Sequence, residues 1–258
     1  FISIRWWRKM STITLLTIIL FILMWIVGGK RGLASFSSVA LNFILLFLTV
    51  IFISIGVPAL WTTIFVGIAI LAVTIYMGNS DEKTTNIAFE ATLISLAIVV
   101  VVMVPFIKLV GIQGFSPEQS EEIEAFNLLI GVNFESIVIS TMILSTLGAI
   151  AEAAIAIASG LDEIIEQQPN ITLPALYTSG RNIGLQIMGM TFNTLFFGMF
   201  GGDLALFILL YKLDATFGYY LNSKIFVAES MEVLFSSISI ILVIWITTYM
   251  MGKKVKRT

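Results

Sequence analysis

A single carboxylate sits where water is scarce. Glu152 interrupts an apolar run over 136–159 that is rich in Ala, Ser, Thr and Gly. Gly148 precedes it by four residues and Ser145 by seven; Ser159 follows by seven. At 3.6 residues per turn these four line one helical face. An acid at membrane depth costs ~2.5–3.5 kcal/mol on insertion scales, so it needs a proton, a partner or water. One reading is a proton or ion relay. The other is a protonated acid whose hydrogen bond to a neighbouring helix is only a structural tie.

A second polar stripe lies in the run 182–211. Asn182, Gln186, Gly189 and Asn193 recur at spacings of four, three and four, flanked by Thr191 and Thr194. Glu152 falls ~4 residues past the middle of its run, or ~6 Å along the axis. Asn193 falls slightly before the middle of a run of opposite direction, so the two are expected at similar depth. On this reading Asn193, Thr194, Thr191 and Gln186 hydrogen-bond Glu152, and Arg181 anchors the cytoplasmic mouth. Gly148, Gly189, Gly201 and Gly202 would let helices approach closely.

Other chemistries are excluded by residue type. The chain has no Cys and no His. Thiol catalysis, Ser-His and Cys-His dyads and the usual zinc ligands are therefore absent. Met188, Met190 and Met199 suit packing better than metal binding, because thioethers alone hold only soft metals. No metal and no cofactor is expected. No enzyme is expected either, since Glu152 has no nucleophile–base pair beside it and an aspartyl-type protease would need a second acid in depth.

The elements that must position these residues are membrane helices. Of 258 residues, 58% are hydrophobic and 12% charged, with mean hydropathy +1.02. Charged residues are roughly half as common as in soluble domains. The net charge of −2 gives no reason to expect nucleic acid. Seven apolar runs qualify, over 11–27, 35–55, 59–77, 88–110, 136–159, 182–211 and 231–251, near the ~20 residues a spanning helix needs. The predicted fold is all-α: one polytopic transmembrane bundle over 1–258 with six to seven spans, the first of which could instead lie along the surface. Arg5, Trp6, Trp7, Arg8 and Lys9 read as an interfacial anchor. Ser116, Pro117 and Glu118 read as the start of a short amphipathic surface helix. The chain opens on Phe1 and not on Met, so its natural start is expected to lie upstream.

Lipid-facing helices can be uniformly Leu, Ile, Val and Phe, as the first, second and fourth runs are. The fifth and sixth are not, and are expected at the centre with their small polar faces most buried. The Lys/Arg bias of short loops sets orientation. Lys253, Lys254, Lys256 and Arg257 put the C-terminus in the cytoplasm, with Lys30, Arg31, Lys83 and Arg181 on the same side.

The block Leu147-Gly148-Ala149-Ile150-Ala151-Glu152-Ala153-Ala154-Ile155-Ala156-Ile157-Ala158-Ser159 resembles the signature helix of the YibE/YibF family of bacterial membrane proteins. So do Ser179-Gly180-Arg181-Asn182-Ile183-Gly184, the stretch Met188-Gly189-Met190-Thr191-Phe192-Asn193-Thr194, and Gly201-Gly202. The family pattern leads one to expect Asp where Glu152 stands. An acid-bearing Gly helix, a polar turn, then an Arg-led helix ending in Gly-Gly is also similar, more distantly, to the transmembrane half of SecF and the resistance-nodulation-division (RND) superfamily. These resemblances imply a bacterial cytoplasmic membrane and an intramembrane acid that carries protons. The expected function is a membrane subunit of a proton- or ion-coupled transporter; the alternative is a scaffold that stabilises a partner membrane protein. They also imply a partner: a YibE-like membrane protein or, failing that, a second copy of this chain.

Overall fold

A computed structural model describes residues 12–78, 82–112 and 133–255. Eight helices and no strand occur among them. In chain order they are α1 (Thr12–Ser54), α2 (Ala59–Gly78), α3 (Glu82–Val110), α4 (Phe134–Gln167), α5 (Leu173–Gly202), α6 (Leu204–Lys212), α7 (Phe217–Asn222) and α8 (Lys224–Val255). Six are long and apolar enough to cross a membrane: α1 to α5 and α8. The expected interfacial anchor at Arg5–Lys9, the surface helix at Ser116–Glu118, and Lys256 and Arg257 lie outside the described residues.

α1 is two helices in one. Gly29 leaves the helical region with φ 54° and ψ −128°. Beyond it the chain folds back on itself, because a Cβ on Gly32 would fall onto the Met24 carbonyl. Phe21 and Phe36 stack edge to face with centroids 5.0 Å apart. In a straight helix fifteen residues would separate them by ~22 Å. The first two apolar runs are thus the two arms of a helical hairpin. Its second arm is stitched to α2: the Ser38 hydroxyl donates to the Val73 carbonyl, and the Asn42 amide to Thr74 Oγ1 at 2.8 Å.

α4 is the axis of the bundle, in contact with α2, α3, α5 and α8. Its alanines make this crowding feasible: Ala151, Ala153, Ala154 and Ala158 are buried, together with Ile143, Leu147, Ile150, Ile157 and Leu161. The expectation that the fifth run is central therefore holds, but the face is wrong. Gly148, Glu152 and Ser159 are exposed and Ser145 is half-buried. Neighbours occupy the Ala/Ile sides, and the polar stripe is what remains.

The sixth run is not central. α5 packs through Leu176, Gly180, Gly184 and Ile187, against α8 and one side of α4. Its polar stripe lies on the opposite side of the helix, and Asn182, Gln186, Gly189 and Asn193 are all exposed. α3 and α8 take the inner places instead. Both bury small hydroxyl residues: Thr92 and Ser95 on α3, and Ser236, Ser239 and Thr247 on α8. Most of these donate back to a carbonyl four residues earlier, which satisfies the hydroxyl without water. Thr146 and Ser236 share a hydrogen bond between α4 and α8.

Two boundaries also differ. α5 begins nine residues before Asn182, with Pro174 in its first turn, and ends at Gly202, where Asp203 separates it from α6. The expected loop before the last span holds α7 and the first two turns of α8. Pro105 leaves α3 unbroken.

Candidate functional site

The expected cluster around Glu152 does not form within the chain. Glu152 makes no hydrogen bond or ion pair with another described residue. The Asn193 amide donates to the Gly189 carbonyl of its own helix at 2.8 Å, and the Thr194 hydroxyl to Met190 at 3.0 Å. Gln186 is exposed and Thr191 half-buried. Arg181 lies on the surface in a groove between α5 and α8. Two polar faces at membrane depth are thus left open, one on α4 and one on α5.

The glycines divide into two groups. A Cβ on Gly180 would meet Thr248 at 2.5 Å, and one on Gly184 would meet Ile244 at 2.5 Å, so both serve the contact between α5 and α8. Around Gly148, Gly189, Gly198, Gly201 and Gly202 nothing lies within 4 Å of an added Cβ. Of the expected packing glycines, none is in contact with another helix among the described residues.

A cluster missed in the sequence lies near the α6 end of α5. A cavity of about 420 Å³ opens between α4, α5 and α8. Asp203, Glu229 and Glu232 line it, with Ser145, Thr194 and Ser236. Glu229 and Glu232 are three residues apart on α8, with Ser236 one turn further, so all three share a face. The Ser145 hydroxyl of α4 lines the same cavity as the Glu232 carboxyl. Glu229 is close enough to Glu232 and Asp203 for their charges to repel. Of the expected site residues this cavity takes up Thr194, and it takes up Ser145 of the Glu152 face.

Asp203 lies just beyond the end of α5, and burial pushes its pKa above the ordinary 3.8. Its Oδ2 is sheltered without a hydrogen-bond partner. A raised folded-state pKa means that the native state holds the proton more tightly than the unfolded chain. The stability so gained is full below pH 3.8 and is lost as pH rises through the folded value. Asp203→Asn should therefore raise Tm in detergent at pH 7 and lose that gain near pH 3.8. Equal Tm values at pH 7 would show that the carboxylate is hydrated.

No set of three acids among the described residues has the geometry to hold a metal ion. The arrangement can instead exchange protons or attract a monovalent cation. From Ser145 at the cavity, Glu152 and Ser159 follow at seven-residue steps along α4, each step about 10 Å. The face ends near Asp162, which accepts from Lys254 Nζ at 2.8 Å and from Thr84 Oγ1 at 2.7 Å. Polar groups thus run along α4 from one end of the bundle to the other.

Among protein families, the one described as YibE/F-like protein matches residues 16–257. No curated protein and no solved structure gives a match to the chain.

Proposed function

The chain belongs to the YibE/F-like protein family, and from that premise we propose that it is the membrane subunit of a proton- or ion-coupled transporter. The supporting observation is the polar face of α4, which joins the acid-lined cavity to Glu152 at membrane depth. Glu229, Glu232 and Asp203 would collect protons or cations at one mouth. Ser145 would hand them toward Glu152 along the ~10 Å of polar face between them, through intervening water. This use of an intramembrane acid follows the SecF/RND resemblance.

The second membrane protein in this reading covers the open faces of α4 and α5. Exposed Asn and Gln side chains in lipid keep unsatisfied polar atoms even where, as at Asn193, the amide bonds back to its own helix, and another helix can supply partners for them. A YibE-like protein is the first candidate and a second copy of this chain the next. The C-terminal end of α8 would face the cytoplasm of a bacterium. Lys253 and Lys254 stand there, and Arg181 is brought to the same end by the contact of Gly180 with Thr248. Lys108 and Lys212 end their helices at the opposite side.

Proteoliposomes holding the full chain, purified with whatever travels with it, test the coupling. An imposed membrane potential should drive acidification, read by an internal pH dye. Glu152→Gln and Glu232→Gln should each slow it by tenfold or more, while Glu163→Gln leaves it unchanged. Flux that survives both substitutions, or is absent from the wild type, removes the relay. The scaffold reading then stands, because the unpartnered stripe of α5 supports it without any transport.

A further inference from the structure

A second groove, of about 420 Å³, runs between α5 and α8 at the end opposite the carboxylates. The glycine seam creates it. Tyr177 packs over Gly252, Thr248 over Gly180, and Ile244 over Gly184. The two antiparallel helices touch closely there, and larger side chains beside the seam form the walls of a trough.

The lining is graded along the membrane normal. Arg181 and the phenols of Tyr177 and Tyr249 line the end near the C-terminal lysines, whereas Leu185, Met188 and Ile244 line the deeper part. Trp245 forms an outer wall and is 73% exposed. Arg181 has no ion-pair partner among the described residues. The Lys253 ammonium lies 4.7 Å from the Tyr249 ring centroid, so a second cation borders the trough. No carboxylate among the described residues lines it. Thr248, 8% exposed, lines it too, and its Oγ1 has no hydrogen-bond partner.

We infer that this groove is a binding site for an anionic phospholipid. Its phosphate sits on Arg181 and Lys253, its glycerol region lies among the aromatic rings, and one acyl chain follows Leu185 and Met188. Along α8 the cation Lys253, the aromatics Tyr249 and Trp245 and the apolar Ile244 follow in the order in which a lipid presents headgroup, ester region and chain, and Arg181, one turn deeper than Tyr177 on α5, reaches outward to the same headgroup. Two cations outside any ion pair among the described residues, at a groove whose described lining holds no carboxylate, select net negative charge over a zwitterion. The site is independent of the proton-coupled reading.

Native mass spectrometry of the full chain released from nanodiscs tests it. With equal phosphatidylglycerol and phosphatidylcholine, the wild type should retain phosphatidylglycerol about tenfold more. Arg181→Gln with Lys253→Gln should lower that ratio to near one, and Arg181→Lys should keep most of it. Both residues are on the surface, and an unchanged Tm of the double variant in detergent alone confirms its fold. Equal retention of the two lipids by the wild type overturns the proposal, as does a double variant with an unchanged ratio. Inorganic phosphate should give no thermal stabilisation; if it stabilises as much as phosphatidylglycerol does, the site takes a free anion and not a lipid.

Discussion

Replacing Gly184 with leucine should lower the stability of the chain by about 3 kcal/mol, the upper part of the range for overpacking. A Cβ at this position meets Ile244 Cγ2 at 2.5 Å and has Ile157 at 3.7 Å on its other side. Neither isoleucine can withdraw, since Ile157 is fully buried and Ile244 nearly so. The two helices must therefore separate. Gly189→Leu, five residues along the same helix, should behave in the opposite way. Nothing lies within 4 Å of its Cβ, and leaving glycine gains up to ~1 kcal/mol of helix propensity. The Tm of the isolated chain should hold or rise slightly. The mass of the assembly extracted in mild detergent should fall to that of one chain, because the added side chain blocks the open face. Thermal unfolding and mass measurement of both variants check the pair. A Gly189→Leu protein that unfolds early would place the stripe inside the bundle. One that keeps its associated mass would show that no partner sits there.

The second large effect is expected at Asp162. Its carboxylate joins three helices, accepting from Lys254 on α8 and Thr84 on α3 while it sits on α4. The pair is partly sheltered, with side-chain exposures of 27% for Lys254 and 18% for Asp162. Fully buried pairs cost 3–5 kcal/mol to break and exposed ones up to about 1, so Asp162→Ala should cost about 2–3 kcal/mol. Most of that is the loss of the tie that holds α8 and α3 to α4. Adding Lys254→Met to Asp162→Leu should restore part of it, because two apolar groups across the contact need no charge between them. Denaturant or thermal unfolding of the single and double variants measures this. A loss under about 0.5 kcal/mol for Asp162→Ala would show that water already screens the pair.

The spans were legible in the sequence because apolar length alone decides whether a helix can cross lipid. The runs at 59–77 and 88–110 fall within α2 and α3. Which helix is inside was less legible, because lipid is as apolar as a protein core and hydrophobicity cannot distinguish the two. Small residues carry that information, and they were read on α4 and α5 but not on α3 and α8. Thr85, Ala88, Thr92 and Ser95 trace the buried face of the first half of α3. Ser236, Ser239 and Thr247 do so on α8. The same oversight hid the acid-lined cavity. Glu229, Glu232 and Ser236 have helical spacing, but the first fell between the runs 182–211 and 231–251, outside any expected span. Asp203 fell inside a run read as a single helix, although it follows Gly201 and Gly202 directly. No pattern within one helix could show that these residues meet Ser145, which is more than fifty positions earlier in the chain.

The glycine at the head of the first hairpin governs how the chain enters the bilayer at all. Unbroken, the 43 residues of α1 would extend ~65 Å, about twice the hydrocarbon thickness. Such a rod could only tilt steeply or leave a greasy end in water. One residue with φ 54° converts it into two arms that insert together as a pair. Lys30 and Arg31 follow that residue directly and are exposed, the kind of cations that favour a headgroup position. A hairpin returns the chain to the side from which it entered, so the bend sets the parity of the crossings that follow. An alanine at position 29, strained at that φ, would threaten the topology of the whole protein and not merely the stability of one turn.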